Sequence, residues 1–192
     1  MNYLAHLHIA AHTHTSLVGA FMGDFVKGRA WQQLPTELAQ GVRLHRHVDS
    51  WIDQRYLDAQ LPQLFPASLR RFSTIALDIY LDYLLCTHWP RFHPQALNAF
   101  IDESYAQLAS ATLEGRALYV RDALVEGDWL GYYRIQANME SVLRGVSSRM
   151  RRGFDAAGMY QALVDQHTQI ESFFTHHYPL LLEDCRQYLD DE

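Results

Sequence analysis

The chain reads as an all-α, mostly antiparallel helical domain on three observations. Apolar residues recur at steps of three and four along most of its 192 residues. The strict alternation of a half-buried strand is scarce, and so are the dipeptides that close hairpins. Capping Asn, Ser and Asp residues and boundary prolines punctuate the periodic stretches. Apolar residues make up 48% and charged residues 20%, a balance that builds a sizeable core and excludes a disordered chain. The length fits one domain over residues 1–192, since Gly127 and the arginine-rich turn near Arg151 are loop signals without linker character.

Asn2 caps a first run through Ala11, and Ser16 caps a second from Leu17 to about Phe25. A third helix spans Thr36 to about Leu57, with Pro35 near its start. Ser68 opens a fourth, which runs to about Thr87 and is stopped by the Trp89-Pro90 pair. The next begins at Pro94 or Gln95 and continues through Ser110. Asp128 to Ser147 reads as another helix, its start open to displacement by Gly131. The last long helix runs from Asp155 to about His177, where Pro179 bends or restarts it.

Sixteen Lys and Arg against 22 Asp and Glu leave a net charge of -6, which argues against a generally basic nucleic-acid binder. Two cysteines, Cys86 and Cys185, exclude a disulfide framework and a cysteine-rich zinc signature. No stretch reaches the roughly 18 apolar residues of a membrane span, and the start lacks a secretory pattern. The expectation is a soluble, cytoplasmic protein.

Histidine stands out, with 11 residues, four of them among the first 14. On the third helix Leu38, Val42, His45, Asp49, Ile52 and Tyr56 share one face, so His45 and Asp49 lie a turn apart within a stripe expected to face the core. On the fourth, Ile75, Asp78, Asp82 and Leu85 align. Asp24 ends a short helix whose face carries Leu17, Ala20 and Phe21. His6 sits among Tyr3, Leu7 and Ala10 and is the inward candidate, whereas His8, His12 and His14 are expected further out or in solvent. Taken singly, each has a plainer account: a buried His45 bonded to Asp49, a surface Asp78–Asp82 pair without a role, and Asp24 as a helix-end hydrogen bonder or salt-bridge partner. Charges on several apolar faces instead favour a shared cation, because unpaired buried carboxylates are costly. Imidazole with carboxylate suits manganese, iron or zinc, whereas oxygen alone suits magnesium or calcium. Arg144, Arg149, Arg151 and Arg152 form one basic cluster, Lys27 and Arg29 another, and Arg43, Arg46 and His47 a fringe on the third helix. Each of these serves either a phosphate or solvent.

The opening Asn2-Tyr3-Leu4-Ala5-His6-Leu7-His8 resembles that of the bacterial acyl-carrier-protein phosphodiesterase family. The likeness continues through Gly23-Asp24-Phe25-Val26-Lys27-Gly28, His45-Arg46-His47-Val48-Asp49, Leu77-Asp78-Ile79-Tyr80-Leu81-Asp82 and His88-Trp89. Trp129-Leu130, Tyr133, Gly145 and Ser148-Arg149 extend it. That resemblance implies a compact helical domain akin to a divergent HD-type phosphohydrolase. It also implies removal of the 4′-phosphopantetheine arm from holo-acyl carrier protein to give apo-protein. Manganese is the implied metal, with iron, magnesium or cobalt as substitutes, and holo-acyl carrier protein is the implied partner.

Carried over by position, His6, Asp24, His45, Asp49, Asp78 and Asp82 form the candidate metal pool. Asp24 and Asp78 would position or deprotonate the attacking water, and His88 would serve outer proton transfer. Lys27, Arg46 and Arg149 would meet the substrate. One departure is Tyr83, where many relatives carry histidine. A phosphohydrolase acting on a nucleotide or another small diester is the nearest alternative, and a non-catalytic carrier-binding module the next.

Overall fold

The computed structural model describes residues 1–190, and every regular element among them is helical. In chain order these are α1 (Tyr3–His12), α2 (Leu17–Met22), α3 (Thr36–Asp58), α4 (Ser73–Thr87) and α5 (Leu97–Ser110). They continue with α6 (Gly115–Glu126), α7 (Trp129–Tyr132), α8 (Met139–Ser148), α9 (Ala156–Asp165) and α10 (His167–Asp190). None of the described helices is long and apolar enough to cross a membrane.

α1 buries Leu4, Ala5, Leu7, Ile9 and Ala10 together with His6 and His8 and is enclosed by α2, α3, α4 and α10. Ser16 caps α2 by accepting from the Gly19 amide at 3.0 Å, as its position predicts. α2 then crosses α3 at a glycine contact. A Cβ on Gly41 would stand 2.7 Å from the Gly19 Cα, and one on Gly19 would stand 2.7 Å from the Leu38 carbonyl oxygen. Only paired glycines permit this approach, which holds α2 against the first two turns of α3.

α3 buries Val42, Leu44, His45, Val48, Ile52 and Tyr56, close to the predicted stripe. α4 is buried on nearly every side, with Asp82 fully enclosed and the Asp78 side chain 27% exposed. These two aspartates therefore do not share one fate. α10 crosses behind, packing Phe173, Phe174, Tyr178, Leu181 and Cys185 into the same hydrophobic cluster as α1 and α3.

Several boundaries differ from expectation. α4 starts at Ser73, because residues from Ser68 form a turn and Arg70–Phe72 a single 3-10 turn. α6 was not anticipated: it buries only Ala117 and Leu124, so its sequence carries almost no apolar period. The expected helix from Asp128 to Ser147 is broken. Asp128 adopts φ +44° and accepts from the Gly131 amide, closing the one-turn α7 before the chain restarts at Met139. The expected helix from Asp155 divides at Gln166, and α10 continues straight through Pro179. Pro179 faces solvent, so packing of the opposite face carries the helix across the missing hydrogen bond.

His8 is also corrected. It is fully buried, with Nδ1 2.7 Å from the Tyr178 hydroxyl and Nε2 3.3 Å from the Phe92 carbonyl. Burial pushes it down to about 3, so it serves the core as a neutral hydrogen-bonding ring.

Candidate metal centre

α1, α2 and α3 bring His6, Asp24, His45 and Asp49 together. The His6 and His45 rings stack at 3.7 Å between centroids. Asp49 lies between their nitrogens, with Oδ1 3.1 Å from His6 Nε2 and Oδ2 3.2 Å from His45 Nε2. Ligand atoms of His6, His45 and Asp49 all fall within 4.8 Å of one another. Asp24 Oδ1 stands 3.6 Å from the same His45 nitrogen.

The hydrogen bonds set the chemistry of these groups. His45 Nδ1 lies 2.8 Å from the Ala20 carbonyl oxygen, which can only accept, so Nδ1 carries the proton. In the neutral ring the Nε2 lone pair then points at two carboxylates, acceptor against acceptor. That arrangement is unfavourable unless a proton or a metal cation lies between. His6 Nδ1 is buried without a hydrogen-bond partner. Two imidazoles and a carboxylate so placed fit a divalent transition metal.

Ionisation supports the same fit. Burial, reinforced by His45, pushes His6 down to about 3 and keeps it in the ligating form. Burial opposes the Asp49 charge, but its contacts with His45, His6 and the Met1 amine outweigh it and hold this carboxyl well below the usual range. Asp24 is raised, by burial first and by Asp49.

α4 adds Asp78 at the edge. Its Oδ1 accepts from the Tyr56 hydroxyl at 2.9 Å and lies 3.0 Å from the Met1 amine. The amine is also 3.4 Å from Asp49 Oδ1. Burial opposes its charge, yet Asp78 and Asp49 prevail and lift it to about 10.

The turn after α2 is fitted closely to His45. A Cβ on Gly23 would fall 2.2 Å from the imidazole. Gly23→Ala is expected to displace the ring and lower turnover about tenfold or more, with the helical spectrum retained, since a small misplacement of reacting groups suffices for such a loss. Steady-state kinetics beside circular dichroism would check this, and unchanged turnover would refute it.

Beside the cluster opens a cavity of about 560 Å³. Asp24, Asp78 and Tyr3 line it near the cluster, and Trp129, Tyr133 and Arg149 line it from the second half of the chain. The Arg149 guanidinium lies 5.9 Å from the Trp129 ring centroid.

A family model described as acyl carrier protein phosphodiesterase matches residues 1–181. The chain belongs to the acyl carrier protein phosphodiesterase family. A Photorhabdus laumondii protein named acyl carrier protein phosphodiesterase is 32% identical over 191 residues, covering 95% of this chain and 94% of its own. A Yersinia pestis protein of the same name is 30% identical over 189 residues, covering 97% and 98%. One from Salmonella agona is 30% identical over 185 residues, covering 95% and 96%. No solved structure gives a significant match.

Within this member of the acyl carrier protein phosphodiesterase family, other predicted site residues are occupied elsewhere. Asp82 takes its two oxygens to the Leu4 and Ala5 amides at 2.8 and 3.2 Å, capping α1 from α4. Asn2 leaves that capping task to Asp82 and donates instead to the Tyr133 hydroxyl at 2.8 Å. His88 pairs with Glu171 of α10 at 2.8 Å and does not line the cavity. Arg46 donates to the Gly28 and Val26 carbonyls at 2.7 and 2.5 Å, strapping the loop that follows Asp24. Lys27 is exposed and outside the cavity lining. Tyr83 packs its ring on Tyr80 at 5.2 Å and takes no part in the cluster.

Two neighbours of the site are not among the residues that the sequence singles out for function. Tyr56 was legible as a member of the α3 stripe, but nothing in that stripe distinguished a hydroxyl bound to Asp78 from simple packing. Asp53, one turn past Asp49, joins the acidic rim: burial and the Asp78 charge raise it. Its spacing from Asp49 was the available signal.

Proposed function

We propose that the chain hydrolyses the phosphodiester joining 4′-phosphopantetheine to a serine of holo-acyl carrier protein, releasing the apo-protein, in the cytoplasm and with a bound divalent metal. The observation that carries this reading is the His45 Nε2 lone pair directed at Asp49 and Asp24, stacked on His6, at the edge of a substrate-sized cavity. Manganese suits the mixed nitrogen and oxygen set, with iron, magnesium or cobalt as alternatives. His6, His45 and Asp49 would hold it, and a cation there supplies polarisation of a phosphoryl oxygen and acidification of water.

The remaining work falls to the chain's own groups. Asp24, raised by burial, is suited to accept a proton from the attacking water at Oδ1. Tyr56 fixes the orientation of Asp78 by donating to its Oδ1, leaving Oδ2 to orient the nucleophile. Arg149 offers a planar fork for the phosphate. The cavity's Ile75, Ile79, Val142 and Val146 give the pantetheine arm an apolar surface, and its volume of about 560 Å³ lies within the ordinary range of small-ligand sites.

Incubation with Mn²⁺ and holo-carrier should yield apo-carrier and 4′-phosphopantetheine in equal amounts by mass spectrometry, and chelation should stop it. Absence of both products from folded protein would overturn the reading. A higher kcat/KM for a small phosphodiester than for holo-carrier would favour the small-molecule alternative.

A further inference from the structure

On the cluster side, the polar groups that line the cavity are carboxylates or donors with partners of their own, with one exception. Asp24 and Asp78 present acceptor oxygens. A phosphodiester is itself an anion, so these oxygens repel it, and cations or hydrogen-bond donors must hold it. Met1, Asn2 and Tyr3 line the same cavity from the start of the chain. The Met1 amine pairs with Asp78 and Asp49, and the Asn2 amide donates to the Tyr133 hydroxyl. The Tyr3 hydroxyl has no hydrogen-bond partner among the described residues.

Three neighbours fix where the Tyr3 ring stands. Along α1, Tyr3 precedes His6 by three residues, so the two side chains are adjacent on one face, one turn apart. Towards α2, the ring centroid lies 5.8 Å from that of Phe21, three residues before Asp24. Towards α7, it lies 6.3 Å from that of Trp129, and the Arg149 guanidinium stands 5.9 Å from the same Trp129 ring. Tyr3 therefore joins the His6 and Asp24 end of the site to the wall that carries Arg149. Its ring already packs on two aromatic neighbours, so the hydroxyl is surplus to that packing. Burial first, and then the Asp24 charge, raise this hydroxyl above the usual phenol range, so it keeps its proton and can donate.

We propose that the Tyr3 hydroxyl donates a hydrogen bond to a phosphoryl oxygen of the bound diester, as a neutral donor beside the Arg149 guanidinium. The assignment rests on the phosphodiesterase reading for its substrate. It adds a binding group where the sequence offers only an apolar neighbour of His6. A donor held in place by its ring contacts costs no reorganisation when charge shifts on the phosphoryl oxygens, so its loss is felt in turnover as well as in binding.

Tyr3→Phe keeps the ring contacts with Phe21 and Trp129 and removes only the donor. Inorganic phosphate is the probe, titrated calorimetrically into the full chain in the presence of Mn²⁺. Tyr3→Phe should weaken phosphate binding about tenfold, as expected for a hydrogen bond to a charged group. It should also lower kcat on holo-carrier about tenfold or more. Mn²⁺ affinity, read by electron paramagnetic resonance, and the thermal midpoint should stay at their wild-type values. Wild-type phosphate affinity in Tyr3→Phe overturns the proposal. So does a parallel loss of Mn²⁺ affinity or of thermal stability, which would make the hydroxyl structural, or no phosphate binding by the wild-type chain. Phosphate binding that depends on the Tyr3 hydroxyl in a chain that hydrolyses no diester would leave the donor standing and remove the proposed function. Hydrolysis of holo-carrier at the same kcat in Tyr3→Phe and wild type would do the reverse.

Discussion

Asp49→Asn is expected to lower turnover more than about a hundredfold and to weaken Mn²⁺ binding by a similar factor, while the fold survives. Even outer partners of metal ligands change affinity by about 10–100-fold, and a charged ligand carries more. The contrast with stability follows from the local hydrogen bonds. Asp49 faces one nitrogen of His6 and one of His45. In Asn the amide oxygen can accept from His6 Nε2, and the amide N–H can donate to the His45 Nε2 lone pair. The substituted side chain therefore satisfies both rings without a cation. A thermal midpoint within a few degrees of wild type, with activity and metal lost, is the expected result. Full metal occupancy and activity in Asp49→Asn would remove the cluster from consideration as the centre.

Asp82 should behave in the opposite way, with its largest effect on stability. It is fully buried and satisfies two amides at the start of α1. Asp82→Ala leaves both N–H groups buried and unpaired, at about 1–3 kcal/mol each. A loss of about 4 kcal/mol is a large fraction of the roughly 5–15 kcal/mol that holds a domain together. Asp82→Asn keeps one acceptor and should lose about half as much. The carboxyl also carries a pH signature. Burial pushes it up to about 7, against the pull of the Leu4 and Ala5 amides. A folded-state value above the unfolded one of about 3.9 means the folded chain holds more protons between these limits. The stability contributed by this group is thus full below about pH 4 and is lost as pH rises through about 7. Urea denaturation at pH 5 and pH 7.5 should show that slope in the wild-type chain and its loss in Asp82→Asn. An Asp82→Ala protein as stable as wild type would refute the capping role.

What separates these two aspartates was only half legible in the sequence. The period of α3 puts His45 and Asp49 on one side, and the caps at Asn2, Ser16 and Pro35 come close to the starts of α1, α2 and α3. The gathering of His6, Asp24, His45 and Asp49 followed from those elements. Asp82 met the same test, a carboxylate on an apolar helix, but that test has two solutions: a cation or backbone N–H groups. Which one applies depends on the neighbouring helix end, and no local spacing encodes it. His8 was misplaced for a related reason, since a buried imidazole with two hydrogen-bond partners looks in sequence like a solvated one. α6 left no trace because a helix that buries two small patches needs no stripe. The break after α7 depends on Asp128 at positive φ, a conformation set by the turn it closes.

The cavity draws its two sides from separate stretches of chain. The groups beside the His6–His45–Asp49 cluster come from residues before Asp82, whereas Tyr132, Tyr133, Val142, Val146 and Arg149 come from the α7–α8 region. A designer could therefore reshape the ligand-facing side between Tyr132 and Arg149 as an exchangeable cassette, changing which arm is accepted while the reacting groups keep their own scaffold.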